Sequence, residues 1–177
     1  MIYEYVSLMF GILKLFLFKL LNFNRVKFIY VPKMNASFRI AIKKYSKIIF
    51  GKNFRARNNV SFRIYNKGIV KIGNDCFMND GCSINCQKSI EIGNNVIFGQ
   101  NVMLFDHDHD YKNNMNEFIR KNIKIGNNVW IGANSVILKG VTIGNDVVIG
   151  ANTLINKDVP DNQIIYQEKT IKTKEKD

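Results

Sequence analysis

Both histidines of the chain lie in one short acidic segment. Residues 106–110 read Asp-His-Asp-His-Asp, so imidazole and carboxylate side chains alternate. A neutral imidazole can take a proton from a hydroxyl group near neutral pH, and a neighbouring carboxylate can orient it and stabilise its charged form. The same side chains are ligands for zinc or manganese. The segment therefore indicates general-base catalysis, a metal site or a solvated polar loop.

A repeat of six residues flanks this segment. Residues 125–142 and 143–160 are identical at eleven of eighteen positions, and isoleucine recurs at every sixth residue from Ile125 to Ile155. The fifth place of each repeat holds a small or β-branched residue. The same pattern runs from residue 72 to residue 104 with one two-residue slip, and weaker copies begin at residue 54.

A period of six residues fits neither an α-helix nor a single alternating strand. It is typical of short parallel strands separated by corners, with the first and fifth places pointing inward. Glycine and asparagine suit the corners because both tolerate left-handed backbone geometry. Three strands close a triangle after eighteen residues, and stacked triangles bury one continuous core. We therefore predict a mainly β fold, a parallel β-helix over residues 54–163.

Residues 105–124 interrupt the repeat. Fifteen residues are inserted at one corner, and they carry the Asp-His-Asp-His-Asp segment. Functional groups concentrate on loops that a rigid scaffold holds in place. We therefore expect a long extruded loop that carries the site. Three cysteines are too few, and odd in number, for a disulfide scaffold. Cys76 and Cys82 fall at inward places of the repeat and Cys86 at an outward one.

Positive charge is concentrated in the first part of the chain. Residues 1–71 hold 15 Lys and Arg and a single acid, Glu4, whereas residues 72–177 hold 11 Lys and Arg and 13 acids. The basic part lacks zinc-finger spacing and ribonucleoprotein aromatic motifs, so we expect no nucleic-acid partner.

The basic part begins with an apolar segment. Residues 6–18 carry one charge, Lys14, and Glu4, Ser7, Gly11 and Lys14 form one stripe of a predicted helix. Such a helix can lie on a membrane surface through residues 1–50, pack against the protein's own core, or span a bilayer. We predict an apolar and basic N-terminal helical segment over residues 1–53, with membrane-surface association favoured, and a polar tail over residues 164–177.

The repeat resembles that of the hexapeptide-repeat acyltransferases, whose members form left-handed parallel β-helices. The segment around the extruded loop is similar to the maltose and galactoside O-acetyltransferase branch and to its relatives in surface-polysaccharide clusters. In that branch a catalytic histidine follows an Asn-Val pair and a projecting loop. Alignment from Asn101-Val102 places this histidine on His109, with His107 as the alternative base.

The resemblance also implies the remaining site residues. Asn79 matches an acceptor-contacting asparagine, and Asp106 and Glu117 lie where the loop would line the acceptor cleft. The residues that match positions around the coenzyme are Trp130, Ala133, Ala151 and Lys157. The related γ-class carbonic anhydrases hold zinc with three histidines, whereas this chain has two, so we expect no metal.

The resemblance implies an acetyl-CoA-dependent O-acetyltransferase. The expected acceptor is a sugar hydroxyl in capsular, exo- or lipopolysaccharide biosynthesis, and the histidine acts as general base in direct transfer. The alternatives are N-acetylation of an amino-sugar nucleotide and a non-catalytic β-helix scaffold at a membrane. Family members imply a homotrimer. We expect a cytoplasmic protein, peripheral on the inner face of the cytoplasmic membrane.

Overall fold

A computed structural model describes residues 2–168. The chain begins with one helix, α1 (Ile2–Leu21), and continues as short strands that wind in triangular coils. The strands of the first three coils are β1 (Val26–Phe28), β2 (Lys33–Met34), β3 (Arg39–Ile42), β4 (Lys47–Phe50), β5 (Arg55–Ala56), β6 (Ser61–Ile64), β7 (Ile69–Ile72), β8 (Phe77–Met78) and β9 (Ser83–Cys86). Within the described residues, no helix is long and apolar enough to cross a membrane.

The fourth coil carries the interruption. It consists of β10 (Ser89–Ile92), β11 (Ile97–Phe98) and β12 (Met103–Phe105), and the chain then leaves as a hairpin of β13 (His107–Asp110) and β14 (Asn114–Arg120). The last strands are β15 (Ile123–Ile125), β16 (Trp130–Ile131), β17 (Val136–Leu138), β18 (Thr142–Ile143), β19 (Val148–Ile149), β20 (Leu154–Ile155) and β21 (Ile164–Ile165).

The coils stack into three parallel sheets. The first face has the order β1-β4-β7-β10-β15-β18, the second β2-β5-β8-β11-β16-β19-β21 and the third β3-β6-β9-β12-β17-β20. The two strands β13 and β14 pair antiparallel as a separate ribbon. The predicted parallel β-helix with one extruded loop is therefore confirmed.

The interior confirms the predicted inward positions of the repeat. The isoleucines from Ile125 to Ile155 are buried, and so are the small residues Ser135 and Thr153 at fifth places. Corner asparagines such as Asn101 and Asn134 have positive φ angles of 56° and 60°. Their side chains bond from coil to coil, as in the 3.2 Å contact from Asn101 Nδ2 to Asn134 Oδ1.

The β-helix begins earlier than residue 54. Val26 pairs with Ile48 and Ile48 with Val70, which gives a spacing of 22 residues per coil. Lys124 pairs with Thr142 in the later coils, which is the 18-residue spacing. The four extra residues per coil shift the apolar positions, so the first two coils do not show the six-residue period in the sequence.

Two other boundaries also differ from the sequence-based ones. The predicted helical segment over residues 1–53 is helical only in α1, because residues 26–50 form strands β1 to β4. The predicted tail over residues 164–177 begins with β21, which pairs with β19. The rest of that tail, from residue 169 onward, lies outside the described residues.

Candidate active site

The extruded hairpin leaves the β-helix at the corner between the third and first faces. Asp106 stands directly between β12 and β13, and its side chain is fully buried. Each of its oxygens accepts a backbone N–H: Oδ1 from Gln87 at 2.8 Å and Oδ2 from Lys88 at 2.7 Å. Oδ2 also accepts the thiol of Cys86 at 3.2 Å. The preceding coil thus holds the carboxylate in one orientation.

Burial and hydrogen bonding act on this carboxyl in opposite directions. Burial raises the pKa of Asp106, whereas the bonds from His107, from the Gln87 and Lys88 amides and from Cys86 lower it. The hydrogen bonds prevail, and the pKa lies below its ordinary value. Asp106 is therefore a carboxylate at neutral pH, and its charge is held at the base of the hairpin.

His107 lies against this carboxylate. Its Nδ1 is 2.9 Å from Asp106 Oδ1. An ionised carboxylate only accepts hydrogen bonds, so Nδ1 carries a proton and the neutral ring presents Nε2 as an unprotonated base. The His107 side chain is 16% exposed, which leaves it partly accessible. This carboxylate and imidazole form the arrangement that general-base catalysis requires.

His109 has different surroundings. Its Nδ1 lies 2.6 Å from the carbonyl oxygen of Met115 across the hairpin. Its ring therefore contacts a neutral carbonyl rather than a carboxylate. The Phe118 ring contacts both histidines, with its centroid 4.4 Å from that of His109 and 5.5 Å from that of His107. The geometry thus distinguishes the two histidines, whereas the sequence alignment favoured His109.

The acceptor residues suggested by the sequence do not lie together. Asp106 cannot contact an acceptor, because its side chain is buried and both its oxygens are bonded within the chain. Glu117 is exposed on β14, on the hairpin that carries the histidines. Asn79 follows β8 at the corner between the second and third faces, where its Oδ1 accepts the Asp80 amide at 2.9 Å.

The four residues that the sequence suggested around the coenzyme also lie at separate places on the β-helix. Trp130 points outward from the second face and is exposed. Ala133 and Ala151 follow β16 and β19, at the same corner as Asn79. Lys157 follows β20 at the corner that carries His107, two coils further on. Strand β12 separates the two corners, and its three residues span about 10 Å.

Several residues around Asp106 were not predicted from the sequence. Gln87 binds Asp106 through its backbone and Arg120 Nε through its side-chain oxygen at 2.9 Å. Cys86, predicted to point outward, is buried against the carboxylate. Burial and the negative charge of Asp106 raise the pKa of this thiol, so it stays protonated and donates. Only the stacking of consecutive coils brings Cys86 and Gln87 to Asp106, which lies about twenty residues further along the chain.

Metal ligands do not cluster in the described part of the chain. No group of three or more His, Cys, Asp and Glu side chains among these residues is placed to hold a metal ion. The donors nearest the histidines are used otherwise: Asp106 binds backbone amides, and Asp108 Oδ2 lies 3.2 Å from Lys139 Nζ.

Comparison with known proteins agrees with this fold. Residues 122–157 match the bacterial transferase hexapeptide family of six repeats. WbbJ of Escherichia coli K12, assigned to lipopolysaccharide biosynthesis as an O-acetyl transferase, is 28% identical over 70% of this chain and 69% of its own length. Protein CapG of Staphylococcus aureus is 48% identical over 54% of this chain and 60% of its own length.

Solved structures resemble the chain over a longer stretch. A hexapeptide-repeat acetyltransferase of Vibrio cholerae, complexed with acetyl coenzyme A, has a TM-score of 0.53 at 24% identity and covers 78% of this chain and 66% of its own. The N-acyltransferase AntD of Bacillus cereus, with dTDP and 3-hydroxybutyryl-CoA, has a TM-score of 0.70 at 18% identity and covers 85% and 83%. These matches confirm the left-handed β-helix.

Proposed function

We propose that this hexapeptide-repeat protein is an acetyl-CoA-dependent acetyltransferase that acts on a sugar hydroxyl in surface-polysaccharide assembly. The observation that carries the proposal is the buried Asp106 carboxylate 2.9 Å from Nδ1 of a partly accessible histidine. The acetyl transfer, the coenzyme and the saccharide class come from the relatives, and the alignments span 60–69% of the two curated ones.

The proposed base is His107. Its Nε2 takes the proton of the acceptor hydroxyl as the oxygen attacks the thioester carbonyl carbon of acetyl-CoA. The C–S bond then breaks, the acetyl group stays on the acceptor oxygen, and the proton passes to the departing thiolate. Asp106 keeps Nδ1 protonated and stabilises the imidazolium that forms in between. No covalent enzyme intermediate is required, and Cys76, Cys82 and Cys86 are all buried.

A second copy of the chain completes the proposed cleft. His107 and Trp130 lie on different parts of one β-helix, and the third face separates His107 from Ala133 and Ala151. The second face carries an outward column of apolar side chains in register on consecutive coils: Phe77, Ile97, Trp130, Val148 and Ile164. Such a column suits contact between copies, and a closed ring of three gives three equivalent clefts.

The function is tested with the purified full chain and acetyl-CoA. Sugars, sugar nucleotides and lipid-linked saccharides are offered as acceptors, and CoA release is followed with a thiol reagent. The chain's own thiols are buried in the native state and so add little to the signal. Turnover with a hydroxyl acceptor supports the proposal. Turnover only with amino sugars would assign N-acetylation instead, and no turnover with any acceptor would leave the scaffold alternative.

The shared cleft is tested by mixing two inactive variants. His107→Gln removes the base, and Ala151→Arg places a bulky cation at the exposed coenzyme corner. If each cleft combines His107 of one copy with Ala151 of the next, random mixed trimers regain activity in about a quarter of their clefts. A cleft built within one chain would show no recovery. Sedimentation equilibrium of the mixture gives the oligomeric state independently.

A further inference from the structure

Helix α1 packs on the β-helix through its polar side. The Ser7 carbonyl oxygen accepts the Ala36 amide at 3.0 Å, and Lys14 Nζ donates to the carbonyl oxygens of Ala36 and Phe38 at 2.9 and 2.5 Å. Gly11 lies against the Met34 backbone so closely that a Cβ would overlap the Met34 carbonyl oxygen. Leu15 is the one fully buried apolar side chain of the described helix.

This orientation leaves the apolar side of the helix exposed. The exposed large apolar residues of α1 are Ile2, Tyr3, Tyr5, Val6, Met9, Phe10, Leu13, Phe16, Leu17, Leu20 and Leu21. A surface helix of a water-soluble domain normally does the reverse and buries its apolar stripe. An apolar face of this length, about 30 Å for twenty residues, marks a surface that is covered in the working protein.

The exposed surface continues past the helix. Phe23 is exposed, and so are Ile29, Tyr30 and Val31 in the loop between β1 and β2. A groove of about 650 Å³ lies beside them and is lined by Phe23, Phe28, Ile49 and Phe50, with Lys19 and Lys27 at its edge. An apolar groove with two ammonium groups at its edge matches an amphiphile with an anionic head and a hydrocarbon tail.

Positive charge surrounds the apolar face. Lys19 Nζ lies 4.0 Å from the Phe28 ring centroid, and Lys52 Nζ lies 5.3 Å from that of Tyr30. The sequence has no Asp or Glu between Glu4 and Asp75. A second copy docked on this face would bring the same charge against it, whereas an anionic surface would neutralise it.

We propose that α1 and the loop 29–31 form a docking surface for an anionic phospholipid bilayer. The helix lies in the plane of the interface with its apolar side among the acyl chains, and its Ser7-Gly11-Lys14 stripe stays on the β-helix. Lys19, Lys27 and Lys52 meet the lipid phosphates. The docking is independent of the chemistry proposed above, and it places the transferase domain beside membrane-held acceptors.

Vesicle co-sedimentation of the full chain tests the docking. The vesicles are phosphatidylglycerol with phosphatidylcholine, and phosphatidylcholine alone. Phe10→Gln with Leu17→Gln removes exposed apolar contact while keeping a good helix former at both positions. The matched control is Leu154→Gln with Tyr166→Gln, two exposed apolar residues at the opposite end of the β-helix. Lys19→Gln with Lys27→Gln tests the charge.

We expect binding to the anionic vesicles that weakens with salt, and much weaker binding to phosphatidylcholine alone. The helix variant should lose at least ten-fold in partition coefficient, the control should match the wild type, and the lysine variant should lose about five-fold per lysine. Circular dichroism and the thermal midpoint establish that each variant is folded.

Equal partition of the wild type and a folded helix variant would overturn the docking. If that variant also forms a smaller assembly in sedimentation, the face is a contact between copies. CoA release with a water-soluble acceptor is measured in parallel, so that loss of docking and loss of transfer are recorded separately.

Discussion

Replacing His107 tests the proposed mechanism most directly. In His107→Gln the side chain keeps hydrogen-bonding capacity, but the base facing the acceptor is lost. The matched variant is His109→Gln, on the same strand and beside the same Phe118 ring. If Asp106 is what makes His107 the base, only the first variant loses most of its activity.

The expected magnitude follows from the contacts of the two rings. A positioned general base contributes about 10²–10⁴-fold in rate, which corresponds to about 2.7–5.4 kcal/mol of the activation barrier. His107 has the Asp106 carboxylate at 2.9 Å to stabilise its imidazolium. His109 has only the Met115 carbonyl at 2.6 Å. We therefore expect a loss of 10²–10⁴-fold in kcat for His107→Gln and less than ten-fold for His109→Gln.

The assay is CoA release at saturating acetyl-CoA with the best acceptor of the panel. Asp106→Asn is measured alone and together with His107→Gln. If both residues act as one unit, the double variant is no slower than His107→Gln alone. A His107→Gln enzyme within ten-fold of the wild type would refute the reasoning, and so would an equal loss in His109→Gln. The thermal midpoint of each variant shows whether a loss of activity comes from unfolding or from the loss of a catalytic group.

Three further predictions concern stability and reactivity. Asp106→Asn should cost about 1–3 kcal/mol at pH 7, because either orientation of the amide leaves its NH₂ group facing a backbone N–H. Since the folded-state pKa of Asp106 lies below its ordinary value, this stabilisation is present above about pH 4 and is lost as the pH falls through the folded-state pKa. Chemical denaturation should therefore show a smaller difference in unfolding free energy between the wild type and Asp106→Asn at pH 3 than at pH 7. Cys76 and Cys82, whose pKa values burial raises to about 11, should not react with a thiol reagent at pH 8, and all three cysteines should react after unfolding in guanidinium; fast native labelling would contradict their burial. Gly11→Ala should separate α1 from Met34, which we would detect as a thermal midpoint several degrees lower and faster hydrogen exchange in α1, whereas unchanged exchange would contradict the close packing.

The six-residue period predicted the β-helix because each repeat position has one fixed direction. From residue 72 onward the isoleucines at the first place of the repeats point inward, and corner asparagines such as Asn95, Asn128 and Asn152 adopt left-handed geometry, as the pattern requires. The first coils could not be found in this way, because their 22-residue spacing places the buried Val26, Ile48 and Val70 out of phase with a period of six. Pairing with the next coil, rather than local sequence, determines those strands.

For the N-terminal helix, too, the sequence determined one property and the packing determined another. Its apolar composition and the Ser7-Gly11-Lys14 stripe were evident from the residues alone. The residues alone did not show which side of the helix packs on the β-helix, since a surface helix usually packs through its apolar stripe. The carbonyl oxygens of Ala36 and Phe38, which accept from Lys14, turn the polar stripe inward.

For the candidate site, the sequence by itself determined that both histidines lie on one insertion in a rigid repeat. It could not separate His107 from His109, because the Asp-His-Asp-His-Asp segment gives each histidine an acidic neighbour on both sides. Only the tertiary structure does so. The stacking of one coil on another brings the Gln87 and Lys88 amides and the Cys86 thiol to Asp106, and a carboxylate held by those donors is buried, ionised and aimed at a single ring.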